Sequence, residues 1–140
     1  MTTLTPHVFL QPDGWVPAKG YANGVLAEGQ MIFTGGLVGW NENQEWVETD
    51  MVGQFRQTLQ NIVAVLAKGG ARPEHLVRLT WYITDKQEYN ANLRAFGAAY
   101  REVIGRHFPA MAVVQVVALM EDAARIEIEA TAVIPNAEAD

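Results

Sequence analysis

The stretch that decides the fold is Ala110–Val133, AMAVVQVVALMEDAARIEIEATAV. It reads as two strands, 110–119 and 124–133, joined by a turn through Glu121 and Asp122. Successive side chains of a strand point to opposite faces. In the second strand Ile126, Ile128, Ala130 and Ala132 therefore share one face, and Arg125, Glu127, Glu129 and Thr131 share the other. The first strand has no polar face. Met111, Val113, Val117 and Leu119 lie with Gln115, while Ala112, Val114, Val116 and Ala118 oppose them. The run HLVRLTWYIT at 75–84 is similar, setting Val77, Leu79, Trp81 and Ile83 against Leu76, Arg78, Thr80 and Tyr82. Strands apolar on two faces belong to a sheet covered on two faces.

The flanking segments supply one of those covers. Val52, Phe55, Leu59, Ile62, Val63 and Leu66 recur at three- and four-residue steps, which places them on one side of a helix. Lys68-Gly69-Gly70 then provides a basic last turn and a glycine stop. A second helix opens at Asp85, with Glu88 three residues on in capping-box spacing. Its stripe is Tyr89, Leu93, Phe96, Tyr100 and Val103. Towards the N-terminus, 21–28 and 30–38 read as a strand pair joined at Gly29, followed by a polar loop at 39–48. Residues 1–17 form an extension with a short apolar run, Val8 to Leu10. The expectation is one α/β (α+β) domain over 1–140, with a mixed sheet of five or six strands and two helices on one face. With no third helix, the second cover is expected to be another copy of the chain, since so large an apolar patch is a liability on a monomer.

Composition narrows the function classes. Hydrophobic residues make up 49% of the 140 and charged residues 19%, a globular balance. The net charge of −6, with ten scattered basic residues, argues against nucleic acid as a partner. No apolar run approaches the ~20 residues of a membrane span, and the start of the chain lacks a signal-peptide pattern. The cytoplasm is the expected address. Cysteine and serine are absent, so disulfides, thiolate metal sites and a Ser-His-Asp triad are excluded. His7, His75 and His107 have no ligand spacing and read as surface or turn residues, with no metal or other cofactor expected. Gly35, Gly36 and Gly39 resemble a phosphate loop only superficially, because no helix opens directly after them. They suggest a bulge or a close backbone approach instead. Glu127 stands out, since a carboxylate on a covered sheet face needs a partner or a ligand. An ion pair with Arg78 or Arg125 is the competing explanation. Tyr21, beside Gly20 at a strand start, is a second candidate, against a plain packing role.

Five segments in order, GQMIFTGGLVGWN (29–41), QFRQTLQNIVAVLAKGGA (54–71), VRLTWYITD (77–85), FPAMAVVQV (108–116) and RIEIEATAVIP (125–135), resemble the Rid (YjgF-like) family. The QFRQTLQNI helix and the IEIEA strand are the most specific, and the resemblance spans roughly residues 18–135. It implies a chorismate-mutase-like fold and a homotrimer whose sheets face a central barrel, with small-molecule clefts between subunits. It implies an enamine/imine deaminase-type hydrolase in which Glu127 holds the attacking water and Tyr21 lines the pocket. The chain departs from the pattern elsewhere. Met111 follows Phe108-Pro109-Ala110 where the deaminase branch has a carboxylate-binding arginine, Val113 takes a cysteine position, Gly35 a small hydroxyl position, and Leu93 an asparagine position beside Asn92. Losing a bidentate arginine costs an anionic substrate about 10²-fold in binding. The expected substrate is thus something other than 2-aminoacrylate, less anionic and more apolar, with Trp81 and Met111 as walls. The alternative is a trimer that binds a metabolite without turning it over. Older family names, translation inhibitor and endoribonuclease, sit poorly with the acidic charge.

Overall fold

A computed structural model describes residues 5–136; the first four residues of the expected extension and the last four of the chain lie outside it. The elements are β1 (Val8–Leu10), β2 (Gly24–Leu26), β3 (Gly29–Phe33), β4 (Leu37–Val38), α1 (Met51–Lys68), β5 (Leu76–Ile83), α2 (Lys86–Ala91), α3 (Leu93–Val103), β6 (Ala110–Gln115) and β7 (Ile126–Pro135). A single 3-10 turn, Pro73–His75, precedes β5.

The alternating strand anticipated at 124–133 becomes the spine. β7 runs antiparallel to β5 on one side and to β3 and β4 on the other, and β6 lies parallel to β5 at the far edge. Parallel neighbours need a long crossover, and α2 and α3 provide it. The sheet is thus mixed and five-stranded, and the class α+β. The helices pack on the face that carries Ile126, Ile128, Ala130 and Ala132, all of them buried. Phe55 of α1 forms the centre of that layer, its ring 4.7 Å from Trp81 and 4.9 Å from Phe96.

Several local expectations are corrected. The strands 21–28 and 30–38 do not pair with each other. β2 joins β1 in a separate ribbon, with Phe9 opposite Val25, while β3 takes its partners from β7, with Ile32 opposite Ala132. Gly29, at φ 149°, sits against the Ile134 carbonyl, where a Cβ would overlap it. The strand expected at 110–119 stops at Gln115. Its partner β5 ends at Ile83, whose carbonyl takes one last bond from Val116 N at 2.8 Å, and Val117 beyond is fully exposed. A register irregularity between Leu76 and Arg78 turns Leu76 into the core beside Leu79, so it does not share the face of Arg78.

The second helix is broken in two at Asn92 (φ −126°, ψ 25°). Its side-chain amide donates to Glu88 O at 2.8 Å and its backbone N–H to Tyr89 O at 3.1 Å. A short amide side chain competing for helix carbonyls favours such a break. Asp85 caps α2 as expected, accepting from Glu88 N at 3.0 Å. The box is not closed, because the Glu88 carboxylate pairs with Arg125 instead. In α1, Gln54 is buried although its spacing places it off the apolar stripe. Its amide donates to Ala123 O at 2.9 Å and accepts from Arg125 N at 2.7 Å, tying α1 to the start of β7.

The opposite sheet face is polar along its centre and apolar at its edges. Glu127, Glu129 and Thr131 of β7 and Arg78, Thr80 and Tyr82 of β5 occupy the middle, with the Tyr82 hydroxyl donating to Glu129 at 2.9 Å. Phe33 of β3 is 66% exposed and Val114 of β6 is 43% exposed, so no element of the described residues covers this face.

Candidate functional site

A cavity of about 570 Å³ opens between the edge strand β6 and the α2–α3 crossover, on the helix side of the sheet. Its position follows from the fold: β6 has no further neighbour, so nothing fills the space beside Met111 and Val113. The register opposes Leu79 to Met111 and Trp81 to Val113, which aims these side chains to the helix layer. Tyr21 closes one end. It is held there by the bridge between Ala22 and Ala110 and by Ala22 N donating to Pro109 O at 2.9 Å.

Five of the residues singled out from sequence, Tyr21, Trp81, Leu93, Met111 and Val113, line this one cavity. Sequence reasoning missed Lys19, Tyr89, Phe96, Tyr100, Arg101 and Phe108 in the same wall. The helical stripe 89-93-96-100 already ran along the cavity and was the available signal, although it reads equally as core. Tyr100 stacks on Phe108 at 5.4 Å and its hydroxyl donates to His107 O at 2.5 Å. Burial pushes the Tyr100 and Tyr89 hydroxyls above the ordinary phenol range, so they stay protonated at neutral pH. The Trp81 indole N–H is buried in the wall without a hydrogen-bond acceptor among the described residues. A buried donor left unpaired costs about 1–3 kcal/mol.

Glu127 and Gly35 are not in this cavity. Glu127 pairs in register with Tyr82, one residue on from Trp81, and so points to the opposite face of the sheet. Neither arginine weighed as its partner reaches it: Arg125 is paired with Glu88, and Glu127 forms no ion pair among the described residues. Its carboxylate lies over Gly36, where a Cβ would collide with it. The close approach read from the glycines is real, and so is the bulge. Three residues, Thr34 to Gly36, span the two β7 positions between Phe33↔Thr131 and Leu37↔Ile128. Thr34 fixes the bulge by donating its N–H to Ala130 O and accepting Ala130 N at its hydroxyl, each at 2.9 Å. Gly35 itself faces open space.

The histidines are not surface residues, although His75 does lie in a turn, the 3-10 turn Pro73–His75. All three are buried, and each is bonded to backbone: His7 to Val133 O at 2.9 Å, His107 to Leu76 O at 2.7 Å, and His75 Nδ1 accepting from Arg72 N at 3.0 Å. They act as fold-locking polar residues rather than surface ones. Among the described residues no group of three His, Asp or Glu side chains could hold a metal ion. No described helix is long and apolar enough to cross a membrane.

A model of the family described as Endoribonuclease L-PSP matches residues 13–134, and the chain belongs to that family, the Rid (YjgF-like) proteins. It is similar to the 2-iminobutanoate/2-iminopropanoate deaminase of Escherichia coli, 33% identical over 108 residues that cover 75% of this chain and 80% of that one. Among solved structures, the Rid-family protein YyfB of Yersinia pestis superposes with a TM-score of 0.82 at 31% identity, covering 93% of this chain and all of that one. Escherichia coli TdcF, solved with bound serine, gives 0.65 at 26% identity over 84% of this chain and 91% of its own.

Proposed function

We propose that this chain is a Rid-type hydrolase acting on C=N bonds, with a substrate other than 2-aminoacrylate, and that its site is completed by a neighbouring copy. The reading takes residues 1–140 as one domain and the assembly as a homotrimer. One copy supplies the cavity of Tyr21, Trp81, Leu93, Met111 and Val113; an adjacent copy supplies Glu127 and the open backbone at Gly35. The observation that carries it is the split itself. Five candidate residues converge in one cavity, while the remaining two, Glu127 and Gly35, belong to the exposed face, where Glu127 has no ion-pair partner among the described residues. The naming of a relative as an iminobutanoate deaminase supports the reaction class.

In this reading water adds to the imine carbon as Glu127 accepts its proton. Nitrogen takes that proton to give a tetrahedral carbinolamine, whose C–N bond then breaks as the hydroxyl proton passes by way of Glu127 to the departing nitrogen, leaving a carbonyl compound and ammonia. Tyr21 orients the substrate. A positioned base of this kind contributes about 10²–10⁴-fold. Ammonia release from a panel of enamines and imines is expected to drop by about 10²-fold or more in Glu127→Gln. Parent-like rates in that variant would reject the hydrolase. The competing reading, a trimer that binds a metabolite without turnover, is favoured by one feature: Met111, Val113 and Gly35 all lack the polar groups of the deaminase branch.

A further inference from the structure

The chain carries a net charge of −6, yet among the described residues the only charged side chains lining its main cavity are two cations, Lys19 and Arg101. Neither forms an ion pair among the described residues. The neighbouring acid, Glu102, is already engaged by Arg56 at 3.0 Å and does not neutralise Arg101. The Arg101 guanidinium lies back along α3 over Gly97, its Nη1 3.2 Å from where a Cβ at that position would stand. A glycine inside a helix is unfavourable by about 1 kcal/mol relative to alanine. Here it leaves room for the arginine to lie along the cavity wall.

The cavity is also polarised along its length. Leu93, Gly97 and Arg101 follow at four-residue steps on one face of α3, and the first and last are about 12 Å apart along the axis. Met111 and Val113 run along the opposite wall. Lys19 and Tyr21 belong with the Arg101 end, because Ala22 is bridged to Ala110 at the start of β6 and Tyr100 stacks on Phe108 just before it. Leu93 and Val113 form the other end, where the aromatic ring of Trp81 lies opposite Val113 in register.

From this arrangement we infer that the cavity takes an amphipathic carboxylate, its anionic head held by Arg101 and Lys19 and its apolar body laid along Trp81 and Met111 towards Leu93. Anion recognition has moved from the strand, where Met111 now stands, to helix α3. The carboxylate is then separated from the reacting carbon by the apolar body, rather than bonded to it as in a 2-imino acid. The inference rests on the proposal that this cavity is the substrate site, and it names the substrate class. It also revises the expectation of a less anionic ligand: the charge is retained and displaced.

The test uses the intact protein, with phenylacetate and its neutral isostere phenylacetamide as probes in isothermal titration calorimetry. Phenylacetate is expected to bind about tenfold more tightly, a preference that shrinks as salt is raised. Arg101→Met is expected to lose about that tenfold for phenylacetate and to leave phenylacetamide unchanged, with Arg101→Lys retaining part of the gain. Lys19→Met gives a smaller loss. Arg101 and Lys19 are exposed, so these variants are expected to melt at the parent temperature. Equal affinity for the two probes, no binding of phenylacetate, or phenylacetate binding indifferent to the Arg101→Met, Lys19→Met double variant would each overturn the inference. Glu127→Gln separates the two claims. If it releases ammonia at the parent rate, the hydrolase falls while the probe preference stands; if only the arginine proves silent, the hydrolase stands and this inference falls.

Discussion

At the scale of single residues, Met111 and Gly36 carry the sharpest consequences. Met111 lies in the cavity wall, a thioether offers no charged donor, and in the proposed reading it stands at the position of the deaminases' arginine. Met111→Arg is expected to raise kcat/KM for 2-aminoacrylate by about tenfold or more, measured as ammonia release from freshly generated substrate. A variant no better than the parent would place the substrate carboxylate elsewhere. Gly36 matters through what it leaves open. Its missing Cβ is the space the Glu127 carboxylate occupies. Gly36→Ala is expected to lower turnover by about tenfold, while stability changes by no more than about 1 kcal/mol, because the side chain that must yield is flexible. Thermal melting beside a rate assay separates those two effects. Tyr21 and Glu127 were legible as candidates because a carboxylate on a strand face and a tyrosine beside a glycine turn invite a question. Arg101 was not, since an arginine in a helix surface is ordinary until the cavity beside it is seen.

At the scale of elements, strand alternation in β7 and the apolar stripe of α1 could be read directly, because each depends on a period set by the backbone. Element ends could not. β6 ends where β5 stops offering carbonyls, and the helix breaks where Asn92 turns its amide on Glu88 O. The packing beneath β5 adds a pH response. His107 is buried, and burial holds its imidazole below the ordinary histidine range, with His7 and His75 pushing the same way and Glu74 and the Leu76 carbonyl opposing. The folded pKa is thus lower than the unfolded value of 6.5. Below that pH the unfolded chain takes up the proton first, so stability is full above about pH 6.5 and falls as pH drops through the folded pKa. Denaturant titrations across that window should show the decline, and His107→Gln should flatten it. A parent curve without slope would mean the imidazole is solvated in solution.

At the scale of the molecule, the proposed trimer rests on the exposed sheet face. Phe33 and Val114 flank a polar centre that includes Glu127, Glu129 and Tyr82. The expectation of strands apolar on two faces holds for β6 and fails for β5, whose Arg78, Thr80 and Tyr82 stand beside the polar face expected of β7. A covered face of this kind is expected to give a particle of three times the 15.5 kDa chain mass by light scattering. If the site is shared, Tyr21→Ala and Glu127→Gln should each be inactive alone. Unfolded together and reassembled, they should regain activity, because some clefts then combine an intact Tyr21 with an intact Glu127. Mixed assemblies that stay inactive would mean that the two groups do not meet across subunits.

The sequence by itself determined the class of the sheet, the helix layer, the family, and five residues that share a cavity, since these follow from periodicity, composition and motif. Only the tertiary structure decided that β2 leaves β3 for β1, that the three histidines are buried, that Glu127 faces away from Tyr21, and that Lys19 and Arg101 line the same cleft. The physical reason is range. Side-chain period and local hydrogen bonding are written along the chain, whereas which surfaces meet depends on packing partners far apart in it.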